Sequence, residues 1–220
     1  MGKLIVIEGL DGSGKATQAA LLCDNLTKNG YNVKKVTFPD YDSPASGAVK
    51  MYLAGQLGKT ADDVNAFAAS SFYAVDRFAS IKKNWLEFYE QGGIVIADRY
   101  TTSNAVHQCG KLPESQWNDF LNWLFDFEYE KLGIPTPDEV IYLDMAPKVS
   151  QKLMSKRYNG DEGKKDIHEK DLHHLENSRK AATYCTEKLG WQKVACDDGE
   201  NAFTIEDIQK NVLEKALLKL

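Results

Sequence analysis

The chain has 220 residues, 43% of them hydrophobic, and a formal net charge of −5. That length and apolar content suit one α/β domain with a full core, and the acidic balance argues against a general nucleic-acid binder, which is usually basic. The cysteines Cys23, Cys109, Cys185 and Cys196 lie far apart, so neither a disulfide framework nor a zinc site is expected and they read as reduced thiols.

The first element is the apolar run Leu4–Ile7, which predicts a strand. It is too short for a signal segment or a membrane span, and no other long apolar run follows. The expectation is a cytoplasmic protein with no membrane partner. The run leads into Gly9, Gly12, Gly14 and Lys15, then into a helical pattern over Thr17–Lys28. A strand, a glycine-rich turn and a helix N-terminus in that order form a phosphate cradle. Glycines let backbone N–H groups converge on an anion, and the helix end adds partial positive charge. The pattern G-x-x-x-x-G-K-[ST] is met at Gly9, Gly14 and Lys15, whose ammonium suits β- and γ-phosphates. Ala16 stands where a hydroxyl normally reaches Mg²⁺, and Thr17 comes one residue late. An ordinary βα turn is the plainer alternative.

Further strands are predicted at Val33–Phe38, Ile94–Ala97, Val140–Leu143 and Gln192–Ala195. Helical patterns fill the gaps at Ala45–Leu53, Ala61–Tyr89, Glu114–Leu132, Lys148–Lys156, Glu169–Leu189 and Ile205–Leu218. Gly30 and Gly92-Gly93 read as helix stops, and Ile134–Asp138 as a rigid turn. Val/Ile-rich strands alternating with helices imply a mostly parallel sheet covered on both faces, within a single domain over residues 1–220. In the last helix Ile205, Ile208, Val212, Leu213 and Ala216 form the apolar stripe expected to pack on the sheet.

In an open parallel sheet ligands bind beyond the carboxyl ends of the strands. That rim should carry Phe38-Pro39-Asp40-Tyr41, after the second strand, and Asp98-Arg99, after the third. Asp98 can hold Mg²⁺ and Arg99 offers a fork to phosphate, or the two form a loop ion pair. Tyr73 and Arg77 are four apart on a helix and share a face, where a ring and a guanidinium can read a base. The alternative leaves Tyr73 in the core and Arg77 in water. The polar segment Tyr158–Asp166 reads either as a solvated loop or as a lid carrying Arg157, Lys164 and Lys165 over phosphates.

In order, EGLDGSGK, FPDY, FYAVDR, DRYTTSNAVHQ, YLDMAP and a basic segment ending KKDIHE make the chain resemble thymidylate kinases over Met1 to about Leu189. These are P-loop nucleoside monophosphate kinases that make dTDP from dTMP and ATP. The resemblance implies a P-loop three-layer sandwich with a five-stranded parallel sheet, a lid at about residues 157–167, Mg²⁺ as cofactor and a homodimer. It implies that Gly9, Leu10, Asp11, Gly12, Ser13, Gly14, Lys15, Ala16 and Thr17 hold the ATP phosphates, with Arg157. Asp98 would serve the metal, and Asp11 would face the acceptor nucleotide or its metal. Phe38, Tyr41, Arg99 and Ser103 would line the dTMP side, Tyr73 would stack on thymine, and Arg77 would bond its O4. Asn104 would contact the thymine edge, His107 would lie beside the sugar where many members have Tyr, and Gln108 would sit near the base. Lys15, Asp98, Arg99, Arg157, Lys164 and Lys165 would carry catalysis. Gly12 occupies a position where one branch of the family places an Arg. A kinase for another nucleotide or nucleoside, and a GTP-binding switch, are the competing readings; the chain has no N-K-x-D stretch to read guanine.

Overall fold

A computed structural model describes residues 1–157 and 172–220. Five parallel strands form one sheet: β1 (Lys3–Gly9), β2 (Val33–Thr37), β3 (Ile94–Asp98), β4 (Glu139–Asp144) and β5 (Gln192–Ala195), in the order β2-β3-β1-β4-β5. The expected strands are all present, each within two residues of its predicted ends. The central strands are buried almost throughout, as Val/Ile runs in a parallel sheet require, while β2 and β5 are half-exposed edges.

Strand periodicity sorts the core into two faces. Ile5 and Ile7 join Ile96, Ile141 and Leu143 beneath α1 (Lys15–Lys28) and α9 (Ile205–Leu217), which contribute Leu22, Leu26, Val212 and Ala216. Leu4 and Val6 join Val95, Ala97, Trp85 and Tyr89 on the opposite face. The C-terminal stripe packs as expected at Ile208, Val212 and Ala216, but Ile205 is 51% exposed at the helix start and leaves the core.

The helical prediction over Ala61–Tyr89 needs correction. A short 3₁₀ turn at Ala61–Asp63 precedes α3 (Ala66–Ser80), a π-helical turn at Ile81–Trp85 and α4 (Leu86–Glu90). Asn65 restarts the helix by accepting the Ala68 N–H on its side chain, a cap that breaks the periodic run. The predicted Glu114–Leu132 helix likewise divides into a 3₁₀ turn, α6 (Trp117–Phe125) and a π-helical turn at Asp126–Lys131. Ahead of them, Pro44–Ser46 is 3₁₀ and α2 is Gly47–Leu53. The remaining helices are α5 (Thr101–Cys109), α7 (Pro147–Arg157) and α8 (Leu172–Leu189). α5 has no counterpart in the sequence reading. Its Thr, Ser, Asn, His and Cys are weak helix formers, and eight of its nine residues are buried between neighbouring helices, so packing supplies the helix. No helix among the described residues is long and apolar enough to cross a membrane.

Candidate active site

The cradle begins where β1 ends. Gly12 and Gly14 have φ of 80° and 89°, a left-handed backbone that only glycine adopts freely. At Gly12 a Cβ would lie 2.8 Å from the Ser150 carbonyl oxygen and 2.9 Å from Met154 Cγ, so the Arg that one family branch carries there has no room in this chain. Gly14 is the N-cap of α1 and has no side-chain cap, which leaves the first N–H groups of α1 free for an anion. Lys15 folds back over the loop, and its Nζ donates to the Leu10 carbonyl at 2.8 Å and lies 3.9 Å from Asp11 Oδ1. Burial, and then the Arg99 charge, lower its pKa to about 8. Ser13 Oγ is buried with no hydrogen-bond partner among the described residues. A cationic, donor-rich loop with spare polar capacity is the chemistry that phosphates need.

The second constellation stands on the same rim. Arg99 follows β3 with φ 70°, a strained conformation for a residue with a side chain. Its guanidinium donates through Nη2 to Asp11 Oδ1 and through Nη1 to Ser103 Oγ at 3.3 Å, with His107 Nε2 at 3.4 Å and Glu8 Oε1 at 3.9 Å. Burial opposes its charge, but Asp11, Glu8 and Asp98 outweigh burial and raise its pKa. Asp98 is buried at the end of β3, with no side-chain hydrogen bond among the described residues. The loop ion pair between Asp98 and Arg99 considered from sequence does not form; Arg99 pairs instead with Asp11 and so joins the cradle.

Both constellations open into one cavity of about 880 Å³. It is lined by the cradle from Asp11 to Thr17, by Phe38 and Tyr41, by Tyr73 and Arg77 of α3, by Asp98 and Arg99, and by Ser103, Asn104, His107 and Gln108 of α5. Tyr73 and Arg77 do share a face, and Arg77 is 1% exposed, not solvated. Gly9 and Leu10 do not line the cavity. Gly9 ends β1, where its N–H donates to Glu8 Oε1, and Leu10 is buried with Val106, Tyr142 and Ala182. Arg157 ends α7; its side chain, together with Lys164 and Lys165, lies outside the described residues.

Two carboxylates were missed by sequence reasoning. Glu8, fully buried, accepts from Thr102 Oγ1 at 2.7 Å and Ser103 Oγ at 2.8 Å and fixes α5 under the cradle. An acid closing an otherwise apolar strand run was its available signal. Glu128, fully buried in the second π-helical turn, pairs with Arg77. It sits in an ordinary charged stretch, Glu128-Tyr129-Glu130-Lys131, that carries no such signal. On the far side of the cradle the cavity also meets Leu153, Met154 and Phe203.

A parallel sheet with a glycine-rich anion cradle after β1 and an Asp-Arg pair after β3 defines a P-loop phosphotransferase-type fold. The family model for Thymidylate kinase matches residues 7–203. The thymidylate kinase of Mycobacterium tuberculosis is 30% identical over 172 residues, 76% of this chain and 78% of that protein. A probable thymidylate kinase of Pyrococcus horikoshii is 31% identical over 71% of each chain. The thymidylate kinase of Caenorhabditis elegans is 31% identical over 68% of this chain and 66% of its own. The chain belongs to the thymidylate kinase family.

Proposed function

We propose that this protein transfers the γ-phosphoryl group of ATP to dTMP, giving dTDP and ADP. The observation that carries the reading is the single cavity in which a phosphate cradle, an Arg99 fork and the Tyr73–Arg77–Asn104 wall face one another. ATP phosphates lie on Gly12–Thr17, and the Lys15 ammonium exchanges the Leu10 carbonyl for their oxygens. The dTMP phosphate meets Arg99, which Asp11 and Ser103 hold in place. A phosphate acceptor is already anionic at neutral pH and needs no strong base, so catalysis consists of alignment and charge neutralisation. The cations Arg157, Lys164 and Lys165 serve the transferring group in this reading.

Mg²⁺ takes one or two carboxylates, phosphate oxygens and several waters. Asp98, buried on the cavity wall with Asp11 on the adjoining loop, fits that need without the hydroxyl that Ala16 lacks. Bound there, the ion would neutralise charge on the β- and γ-oxygens. Phe67, Val75 and Phe78 leave an exposed apolar face on α3, the face we assign to a homodimer. The cytoplasm is the compartment we infer from the thiols and the sequence.

The test is ADP formation by the purified protein with Mg-ATP and, separately, dTMP, dUMP, UMP, dCMP, dGMP and AMP. Strong preference for dTMP is expected. Equal use of UMP would show that His107 leaves the sugar side open, and no turnover with any monophosphate would overturn the assignment.

A further inference from the structure

Glu128 is fully buried and does not line the cavity. Its two oxygens take donors from α3 and α5. Arg77 Nε donates to Oε2 at 2.7 Å and Arg77 Nη2 to Oε1; Thr101 Oγ1 donates to Oε2 at 2.9 Å and Asn104 Nδ2 to Oε1 at 3.1 Å. The π-helical turn at Asp126–Lys131 carries Glu128 to this point.

The hydrogen bonds leave little freedom in either neighbour. A guanidinium has five N–H bonds. Arg77 uses one at Nε, one at Nη2 and one from Nη1 toward the Tyr100 carbonyl at 3.4 Å, so the remainder are donors at the outer end of the fork. Both Nδ2 hydrogens of Asn104 are engaged, one by Glu128 and one by the Ser70 carbonyl at 3.2 Å. A carboxylate only accepts, so it admits the NH₂ of Asn104 and turns Oδ1 away. Arg77 Nη2 and Asn104 Nδ2 share Glu128 Oε1, which places the two side chains next to each other on the cavity wall. The cavity is thereby offered a donor beside an acceptor.

We infer that Glu128 is a positioning residue that sets the hydrogen-bond polarity of the acceptor-base site, with Arg77 as donor and Asn104 Oδ1 as acceptor. An imide edge, the O4 acceptor beside the N3–H donor of thymine or uracil, matches that pair. The cytosine edge, an amino donor beside an N3 acceptor, opposes both members of it. Discrimination between bases of the same size then comes from a residue that touches neither of them. The inference rests on the proposed phosphorylation of dTMP.

The test compares dTMP with 5-methyl-dCMP, which keeps the methyl group and reverses the edge. In the native protein kcat/KM should favour dTMP by about 10²-fold or more, as a site with mismatched polar groups rejects an isostere. Glu128→Gln replaces one accepting oxygen with an NH₂, which cannot accept from both the Arg77 fork and the Asn104 amide, so the two side chains lose their fixed orientation. Its dTMP to 5-methyl-dCMP ratio should fall by about tenfold or more while KM for ATP stays near native, a split that a general loss of structure does not produce. Glu128→Asp keeps an acceptor-only group and should retain more of the ratio; it also serves where Glu128→Gln does not fold. Equal use of the two nucleotides by the native protein, or a folded Glu128→Gln with native discrimination, would overturn the inference and leave phosphoryl transfer standing. No turnover of dTMP by the native protein would remove the functional reading and this inference with it.

Discussion

Lys15 provides a proton-linked test of the cradle. Without nucleotide its Nζ is buried, bonded to the Leu10 carbonyl and close to Asp11, with a pKa of about 8 set by burial and by Arg99. Only the ammonium is a useful partner for phosphate, so bound ATP must restore the proton and lift the pKa again. With a free-state pKa of about 8, proton uptake per ATP should be about 0.1 at pH 7, 0.5 at pH 8 and 0.9 at pH 9. ATP affinity should accordingly fall about twofold at pH 8 and about tenfold at pH 9 from its low-pH plateau. The last phosphate ionisation, near pH 6, is complete there and does not interfere. Titration calorimetry at pH 8 in buffers of different ionisation enthalpy reads the uptake directly, and Lys15→Met should abolish it. The sign is opposite for the ligand-free fold. The unfolded chain keeps this proton up to about pH 10.5 while the folded chain releases it near pH 8, so between those values this group makes stability rise with pH. A binding enthalpy independent of buffer at pH 8, or undiminished uptake in Lys15→Met, would refute the account.

Three other outcomes follow from packing and surface. Gly12→Arg should cost most of the activity, because its Cβ meets the Ser150 carbonyl and Met154 and its φ is positive; near-native turnover would show that the cradle yields. Leu22→Ala, at a fully buried position between α1 and the sheet, should cost about 2–5 kcal/mol in denaturant unfolding with KM for dTMP near native. Val75→Asp, at a 57% exposed position on the apolar face of α3, should shift sedimentation from dimer to monomer at micromolar protein; an unchanged sedimentation coefficient would remove that face from the interface.

The cradle was legible in the sequence because all its determinants are contiguous. Leu4–Ile7, the glycines and Lys15 state their backbone and charge requirements locally, and the structure places the strand, the turn and the helix in that order. The rim position of Asp98 and Arg99 was legible through the strand before them. Helix boundaries were less so, since the Asn65 cap and the two π-helical turns interrupt runs whose apolar periodicity continues. The cluster around Glu128 could not be read, because its members lie on three separate segments of chain.

By itself the sequence determined the parallel α/β sheet and the anion cradle, since side-chain periodicity and glycine backbone freedom act over a few residues. Only the tertiary structure decided how the charges are paired. Arg77 meets Glu128 across 51 residues and Arg99 meets Asp11 across 88. It also decided that Thr101–Cys109 is a helix, against its weak propensity. A charge inside a protein is tolerated only beside a compensating partner, and folding brings that partner from a distance at which local sequence carries no information.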